Sequence, residues 1–154
     1  SIRRRQRQMC IRDRFIVNDR IDIALAVDAD GIHLGQEDIP TKIARDLLGA
    51  EKIIGRSTHC LEDIKDAEEE GCDYIGLGPI FSSETKKQLN PIGIDYLKKG
   101  LSETLLPAFA IGGINYSNIT KLNQINNLRI AVSNAIINSN DPFSTTEKLI
   151  KFLT

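Results

Sequence analysis

Six short apolar segments, spaced along most of the chain, constrain the fold more than any other feature of this sequence. Each consists mostly of apolar residues and glycine in a continuous run, without the alternation of a half-exposed strand. Runs of this kind are typical of parallel strands that are buried on both faces. The predicted strands lie at residues 15–17, 31–34, 53–55, 74–77, 108–111 and 130–132.

Stretches with the apolar spacing of helices separate these segments. Pro40 begins one stretch and Gly71 follows another, as expected at a helix start and a helix end. The predicted helices lie at residues 20–27, 40–48, 61–70, 93–99, 116–124 and 143–153. Strands that alternate with helices in this way form βαβ units and a parallel sheet.

Polar and glycine residues follow nearly every predicted strand, and this distribution separates two kinds of parallel sheet. A barrel carries its chemistry at the carboxyl ends of many strands, whereas a doubly wound sheet concentrates it at one switch point. We therefore predict an α/β protein with a TIM (β/α)8-type barrel. About six of the eight βα units of such a barrel are present.

The first fourteen residues differ from the rest in their charge. They contain six of the ten arginines, whereas all ten lysines lie between residues 42 and 151. We interpret residues 1–14 as a foreign or disordered head and residues 15–154 as a partial barrel domain. An alternative is a basic arm that binds nucleic acid, attached to a barrel that senses a ligand.

Cysteine usage and hydropathy predict the compartment. The three cysteines show neither CxxC spacing nor paired histidines, which favours reduced thiols over a disulfide framework or a zinc site. The sequence has no apolar run of 18 or more residues, and no apolar stretch follows its charged N-terminal residues, so we expect neither a membrane helix nor a secretory signal. We expect a cytoplasmic protein that acts on small molecules, with no membrane or nucleic-acid partner, and a homo-oligomer is compatible with this.

Two aspartates follow neighbouring predicted strands. Asp19 comes directly after the first strand and Asp38 follows the second. Because the carboxyl ends of neighbouring parallel strands converge, the two carboxylates could share one Mg²⁺, which takes one or two protein carboxylates. The structural alternative for each aspartate is the N-cap of a helix.

Three further segments indicate phosphate binding. Gly112 and Gly113 end a strand, where backbone N–H groups can approach a phosphate, although a tight turn also needs glycine. Ser133 and Asn134 follow the next strand, and paired loops of this kind hold phosphate in many barrels. The long segment 78–87 is a lid or a solvated surface loop, and its Lys86 is a candidate charge for a diphosphate.

The two histidines predict no metal or nucleophilic chemistry. His33 lies within a predicted strand and His59 follows another, and neither has metal-ligand spacing. We expect both to be structural. The sequence also lacks a Ser-His-Asp arrangement and a Gly-x-Ser-x-Gly elbow.

Seven strings, in order over about 140 residues, resemble the thiamine phosphate synthase family. The most specific of them is Gly-Ile-His-Leu-Gly-Gln-Glu-Asp, which ends at Asp38. The strings are FIVND at 15–19, DGIHLGQED at 30–38, GRSTH at 55–59, DYIGLGPIF at 73–81, TK at 85–86, AIGGI at 110–114 and VSNAI at 132–136.

The resemblance implies a transferase that joins a hydroxymethylpyrimidine diphosphate to a thiazole phosphate and releases diphosphate. It implies that Asn18 and Ser57 contact the pyrimidine substrate and that Asp19 and Asp38 hold Mg²⁺. Lys86 would steady the diphosphate, and Lys86 and Ser57 are the residues expected to take part in catalysis. The thiazole phosphate would be bound by Ser83, Glu84, Thr85, Gly113, Ser133 and Asn134.

Three departures from the family pattern stand out. Ser83 occupies a position where threonine is usual, and Asn134 a position where serine is usual. The family has two further βα units before Phe15, with a basic segment that grips the diphosphate. We therefore expect an incomplete copy that is poorly active and prone to associate. Alternative functions are a thiazole tautomerase-like enzyme or another phosphate-binding TIM-barrel enzyme.

Overall fold

Six parallel strands form one sheet in the computed structural model, which describes residues 13–82 and 89–153. Their order across the sheet, β1-β2-β3-β4-β5-β6, is also their order along the chain. A doubly wound sheet reverses its strand order, so that alternative is excluded. The strands are β1 (Ile16–Asn18), β2 (Gly31–Leu34), β3 (Ile53–Thr58), β4 (Tyr74–Leu77), β5 (Ala108–Ile111) and β6 (Arg129–Ala131).

The α-helices that the structure describes are α1 (Ile21–Ala26), α2 (Thr41–Leu48), α3 (Leu61–Glu69), α4 (Gly93–Ser102), α5 (Asn134–Ile137) and α6 (Pro142–Ile150). Five of them agree with predicted helices to within three residues at each end, and the short α5 was not predicted. None of the helices in the described ranges is both long and apolar enough to cross a membrane.

The predicted helix at 116–124 was wrong, because only a 3₁₀ turn, Ile119–Leu122, forms there. Asparagine side chains bond to the backbone just before this turn, and this competition is why asparagine is a weak helix former. The Asn115 backbone N–H donates to Asn118 Oδ1 at 2.9 Å, and the Ser117 N–H donates to Asn115 Oδ1 at 2.9 Å. The backbone bonds that follow join residues three apart, such as Lys121 N–H to the Asn118 carbonyl oxygen at 3.0 Å, so the segment forms a 3₁₀ turn.

One face of the sheet packs against the helices. Alternate residues of β2 to β5 on this face are buried, and each large apolar one contributes roughly 1.5–3 kcal/mol through removal of its side chain from water. The largest are Ile32, Leu34, Ile54, Ile75 and Leu77, each 0% exposed. Ala24 of α1 and Ala44 of α2 cover the β1–β3 half, and Ile64 of α3 and Leu97 of α4 cover the β4–β5 half.

The opposite face carries the intervening residues of the strands, among them His33, Ser57, Tyr74 and Phe109. Within the described residues, β1 and β6 each pair with a single neighbour, so the sheet has two edges. Ile111 on this face is 40% exposed. We call this side of the sheet, which carries His33, Ser57, Tyr74 and Phe109, the inner face, because it would line the interior of a closed barrel.

Candidate functional site

A cavity of about 490 Å³ opens at the carboxyl ends of β3 to β6. It is lined by residues from four successive strand ends, as expected where chemistry collects at one edge of a parallel sheet. Four of the residues predicted to bind substrate are brought together there: Ser57, Gly113, Ser133 and Asn134. Their shared position supports a single binding site.

Ser57 lies inside a strand and not after one, which corrects the sequence prediction. β3 runs from Ile53 to Thr58, so the Ser57 side chain points from the inner face of the sheet. His33 Nε2 lies 3.0 Å from Ser57 Oγ, and the Gln36 side-chain amide donates to the Ser57 carbonyl oxygen. The hydroxyl and the backbone of Ser57 are therefore both held by residues of the neighbouring β2 segment.

Arg56 holds Gln36 in turn, from the helix-facing side of the sheet. Arg56 is only 9% exposed, and its guanidinium donates to Thr41 Oγ1 at 2.9 Å. It also reaches Gln36 Oε1 at 3.5 Å and pairs with Glu70 at 3.1 Å. A buried charge must be compensated by such partners. Arg56 therefore connects the helix-facing side of the sheet, through Thr41 and Glu70, to the loop that contains Gln36.

His33 and Tyr74 were not identified as parts of the site from the sequence. His33 Nδ1 lies 3.0 Å from the Tyr74 hydroxyl, with 5.4 Å between the ring centroids. Tyr74 also packs edge-on against Phe109 at 5.5 Å. His33 was expected to be structural, and both of its ring nitrogens do have partners, but one of these is Ser57 of the cavity. The available signal was strand alternation, which places His33 on the same face as Asn18 and Gly55.

Burial raises the pKa of Tyr74 to about 12, and this predicts a loss of stability in alkali. An unfolded tyrosine ionises near pH 10. Because the folded pKa is higher, the stabilising contribution is fully present below pH 10 and is lost as the pH rises towards 12. Urea unfolding at several pH values should show the wild type losing stability relative to Tyr74→Phe above pH 10. A difference that stays constant up to pH 11 would contradict this.

Gly112 and Gly113 adopt left-handed backbone conformations, with φ of 93° and 68°. A Cβ on Gly112 would lie 2.4 Å from Pro79 Cβ, and one on Gly113 would lie 2.4 Å from the Ser82 carbonyl oxygen. The Phe81 N–H donates to the Gly112 carbonyl at 3.1 Å, which ties the turn to the segment after β4. The two glycines are thus required for packing, besides any role in phosphate binding.

Ser133 and Asn134 stand where β6 passes into α5. Ser133 is the N-cap residue, and its carbonyl oxygen accepts from the N–H groups of Ile136 and Ile137. The first N–H groups of a helix have no acceptor within the helix, and Ser133, Asn134 and Ala135 all line the cavity. The phosphate-binding role of these two residues stays a prediction.

Asp19 and Asp38 lie at the carboxyl edge of β1 and β2. Neither is a helix N-cap, because that position belongs to Arg20 before α1 and to Pro40 before α2. Asp19 has a left-handed backbone with φ of 62°, and its N–H donates to the His33 carbonyl oxygen. Asp38 Oδ2 accepts from the Gly35 N–H at 2.6 Å. The N-cap alternative is therefore wrong for both aspartates.

The donor chemistry of this edge fits Mg²⁺ better than a transition metal. No group of three or more His, Cys, Asp or Glu side chains is arranged to hold a metal ion within residues 13–82 and 89–153. Mg²⁺ needs no such cage, because water and substrate phosphate supply most of its ligands. Two carboxylates on neighbouring strand ends are a suitable protein contribution.

Four predicted residues lie outside the described ranges: Ser83, Glu84, Thr85 and Lys86. Asn18, at the end of β1, is paired in register with His33. It is not among the described residues that line the cavity. The roles assigned to all five residues stay predictions.

Comparison with known proteins gives a consistent result. A model of the thiamine monophosphate synthase family matches residues 4–136, a range that starts within the arginine-rich head. A thiamine-phosphate synthase of Prochlorococcus marinus (strain MIT 9313) is 56% identical over 139 residues. These residues are 90% of this chain and 39% of that relative, so the chain spans about two fifths of its length.

Solved structures agree with the sequence comparison. A thiamine phosphate pyrophosphorylase from Pyrococcus furiosus superimposes with a TM-score of 0.81 at 38% identity, over 90% of this chain and 66% of that one. A 3-hexulose-6-phosphate synthase from Salmonella typhimurium gives a TM-score of 0.63 at 18% identity, over 86% and 65%. The second likeness concerns the fold alone. The six parallel strands form an α/β half-barrel.

Proposed function

Because the chain belongs to the thiamine monophosphate synthase family, we propose that the full-length protein is a thiamine phosphate synthase. It joins a hydroxymethylpyrimidine diphosphate to a thiazole phosphate and releases diphosphate. The observation that carries this proposal is the shared position of Ser57, Gly113, Ser133 and Asn134 in one cavity. Its volume of about 490 Å³ suits a small-molecule substrate pair.

The residues of this site bind and orient, and none is needed as a nucleophile. The bond between the pyrimidine methylene group and the diphosphate breaks, and the thiazole nitrogen then captures the pyrimidine cation. Ser57 and Asn18 hold the pyrimidine substrate, while Gly113, Ser133 and Asn134 hold the thiazole phosphate. Fixing the acceptor nitrogen beside the reacting carbon supplies much of the acceleration.

Asp19 and Asp38 hold Mg²⁺ in this proposal. When bound, the ion neutralises the charge that develops on the departing diphosphate. Lys86 adds a second positive charge to the same leaving group. No protein side chain accepts a covalent bond, which agrees with the absence of a nucleophilic triad in the sequence.

The proposal includes a closed barrel and a cytoplasmic location. Two further βα units would pair with β1 and β6 and cover the exposed inner face, making a TIM barrel of eight units. The open sheet edges and the greater length of the relatives support this closure. Cys60 and Cys72 are free thiols, which supports a reducing compartment.

Product formation tests the proposal directly. The full-length protein, expressed from its complete coding sequence, should form thiamine phosphate and diphosphate from the two precursors only when Mg²⁺ is present. Chromatography of the reaction mixture identifies both products. Absence of thiamine phosphate at saturating precursors and Mg²⁺ would refute the proposal. Metal-independent isomerisation of a thiazole phosphate would instead establish the tautomerase alternative.

A further inference from the structure

Three hydrogen-bonded side chains connect three neighbouring strands on the inner face. Tyr74 of β4 contacts His33 of β2 through Oη and Nδ1, at 3.0 Å. His33 Nε2 continues to Ser57 Oγ of β3, also at 3.0 Å. Of these three side chains, only that of Ser57 lines the cavity. The other two therefore act on bound molecules through Ser57.

Glycines on the inner face make room for the two rings. A Cβ on Gly55 would lie 2.0 Å from Tyr74 Cζ, and one on Gly76 would lie 3.3 Å from His33 Cε1. Phe109 packs against the far side of Tyr74. The rings are therefore seated in a shaped space, which fixes the direction of each hydrogen bond.

Which group donates in these hydrogen bonds depends on the tautomer of His33. Burial raises the pKa of Tyr74 to about 12, so its hydroxyl keeps its proton at working pH. That proton can be donated to His33 Nδ1, which lies 3.0 Å away. When Nδ1 accepts, the hydrogen of a neutral imidazole is on Nε2. Nε2 then donates to Ser57 Oγ.

We propose that Tyr74 and His33 are positioning residues that turn the hydroxyl hydrogen of Ser57 towards the cavity. Ser57 accepts from His33, so its own proton is left for a bound molecule. Ser57 then favours bound molecules that present a hydrogen-bond acceptor to it, such as a phosphate oxygen or a ring nitrogen, over molecules that present a donor. The inference rests on the proposed function, because the substrate that Ser57 meets is the pyrimidine diphosphate.

A double-mutant cycle tests whether Tyr74 acts through Ser57. In the full-length protein, Tyr74→Phe should lower kcat/KM for the pyrimidine diphosphate about tenfold, through loss of one aligned hydrogen bond. The KM for the thiazole phosphate should not change. In the Ser57→Ala background, Tyr74→Phe should have no further effect. A full tenfold loss in that background would overturn the proposal.

Tyr96→Phe is the matched control. The Tyr96 hydroxyl accepts from the Leu61 N–H at 2.8 Å, at the start of α3 and outside the chain of side chains that ends at Ser57. Its removal costs a hydrogen bond of similar kind without touching the site. If Tyr96→Phe and Tyr74→Phe lowered kcat/KM equally, the loss would come from reduced protein stability and not from the bonds to Ser57. That result would overturn the proposal.

A spectroscopic readout separates this inference from the proposed function. In protein with ¹⁵N-labelled histidine, the His33 ring should carry its hydrogen on Nε2, and Tyr74→Phe should weaken that preference. A hydrogen on Nδ1 in the wild type would refute the inference whatever the enzyme does. A wild type without synthase activity would refute the proposed function and leave this measurement valid.

Discussion

Replacing Asp19 or Asp38 with asparagine in the full-length protein should lower turnover by about 100-fold or more. Each change removes one carboxylate charge from the predicted Mg²⁺ site and leaves the local backbone intact. Asparagine tolerates the left-handed conformation of residue 19, and an amide oxygen at position 38 could still accept from the Gly35 N–H. The Mg²⁺ concentration for half-maximal rate should rise in both variants, which a titration of initial rates measures.

Asp28→Asn is the control for this prediction. Asp28 shares the left-handed backbone of Asp19, with φ of 50°, but it precedes β2 and lies at the opposite end of the sheet. Its exposed ion pair with Lys52 contributes at most about 1 kcal/mol to stability. Turnover and Mg²⁺ dependence should match the wild type. Normal rates in both Asp19→Asn and Asp38→Asn would show that the metal assignment is wrong.

Gly113→Ala should destabilise the protein by about 3 kcal/mol or more, because two costs coincide at this residue. The backbone is left-handed, and the new methyl group would meet the Ser82 carbonyl oxygen at 2.4 Å and the Phe81 carbonyl oxygen at 2.8 Å. Both contacts are with backbone, which cannot rotate away. Urea unfolding followed by circular dichroism measures the change in free energy of unfolding.

Gly71→Ala isolates the steric part of that loss. Gly71 has nearly the same φ, 75°, but a Cβ built there meets no described atom within 4 Å apart from its own chain neighbours. Only the conformational cost remains, about 1–2 kcal/mol. If the two variants lost the same stability, the turn at Gly112–Gly113 would be free to move away from the segment after β4.

Much of the fold could be predicted because apolar runs report strand burial directly. The end of β3 could not be predicted, since Arg56, Ser57 and Thr58 are polar and the apolar run ends before them. Tertiary partners satisfy these groups: Glu70 pairs with Arg56, and Thr58 Oγ1 donates to the Gly76 carbonyl at 3.2 Å. Such partners are distant in sequence, so local patterns do not contain them.

Some residues of the candidate site could also be predicted from the sequence, and others could not. Gly113, Ser133 and Asn134 follow strands that were predicted well, so their convergence could be expected from a parallel sheet. The hydrogen bonds that hold Ser57 could not be expected from the sequence. They join Gln36 to Ser57, His33 to Ser57 and Tyr74 to His33, across 21, 24 and 41 residues. Only the register of the strands brings these side chains together.

The bond from Gln36 to the Ser57 carbonyl bears on protein engineering. Loops at the carboxyl ends of barrel strands are commonly treated as exchangeable parts on a fixed scaffold. Here the loop after β2 is fastened to β3 through Gln36, and Gln36 is held by Arg56 from the opposite side of the sheet. Transplanting residues 35–38 into another barrel would therefore require Arg56 and its partners Thr41 and Glu70 as well.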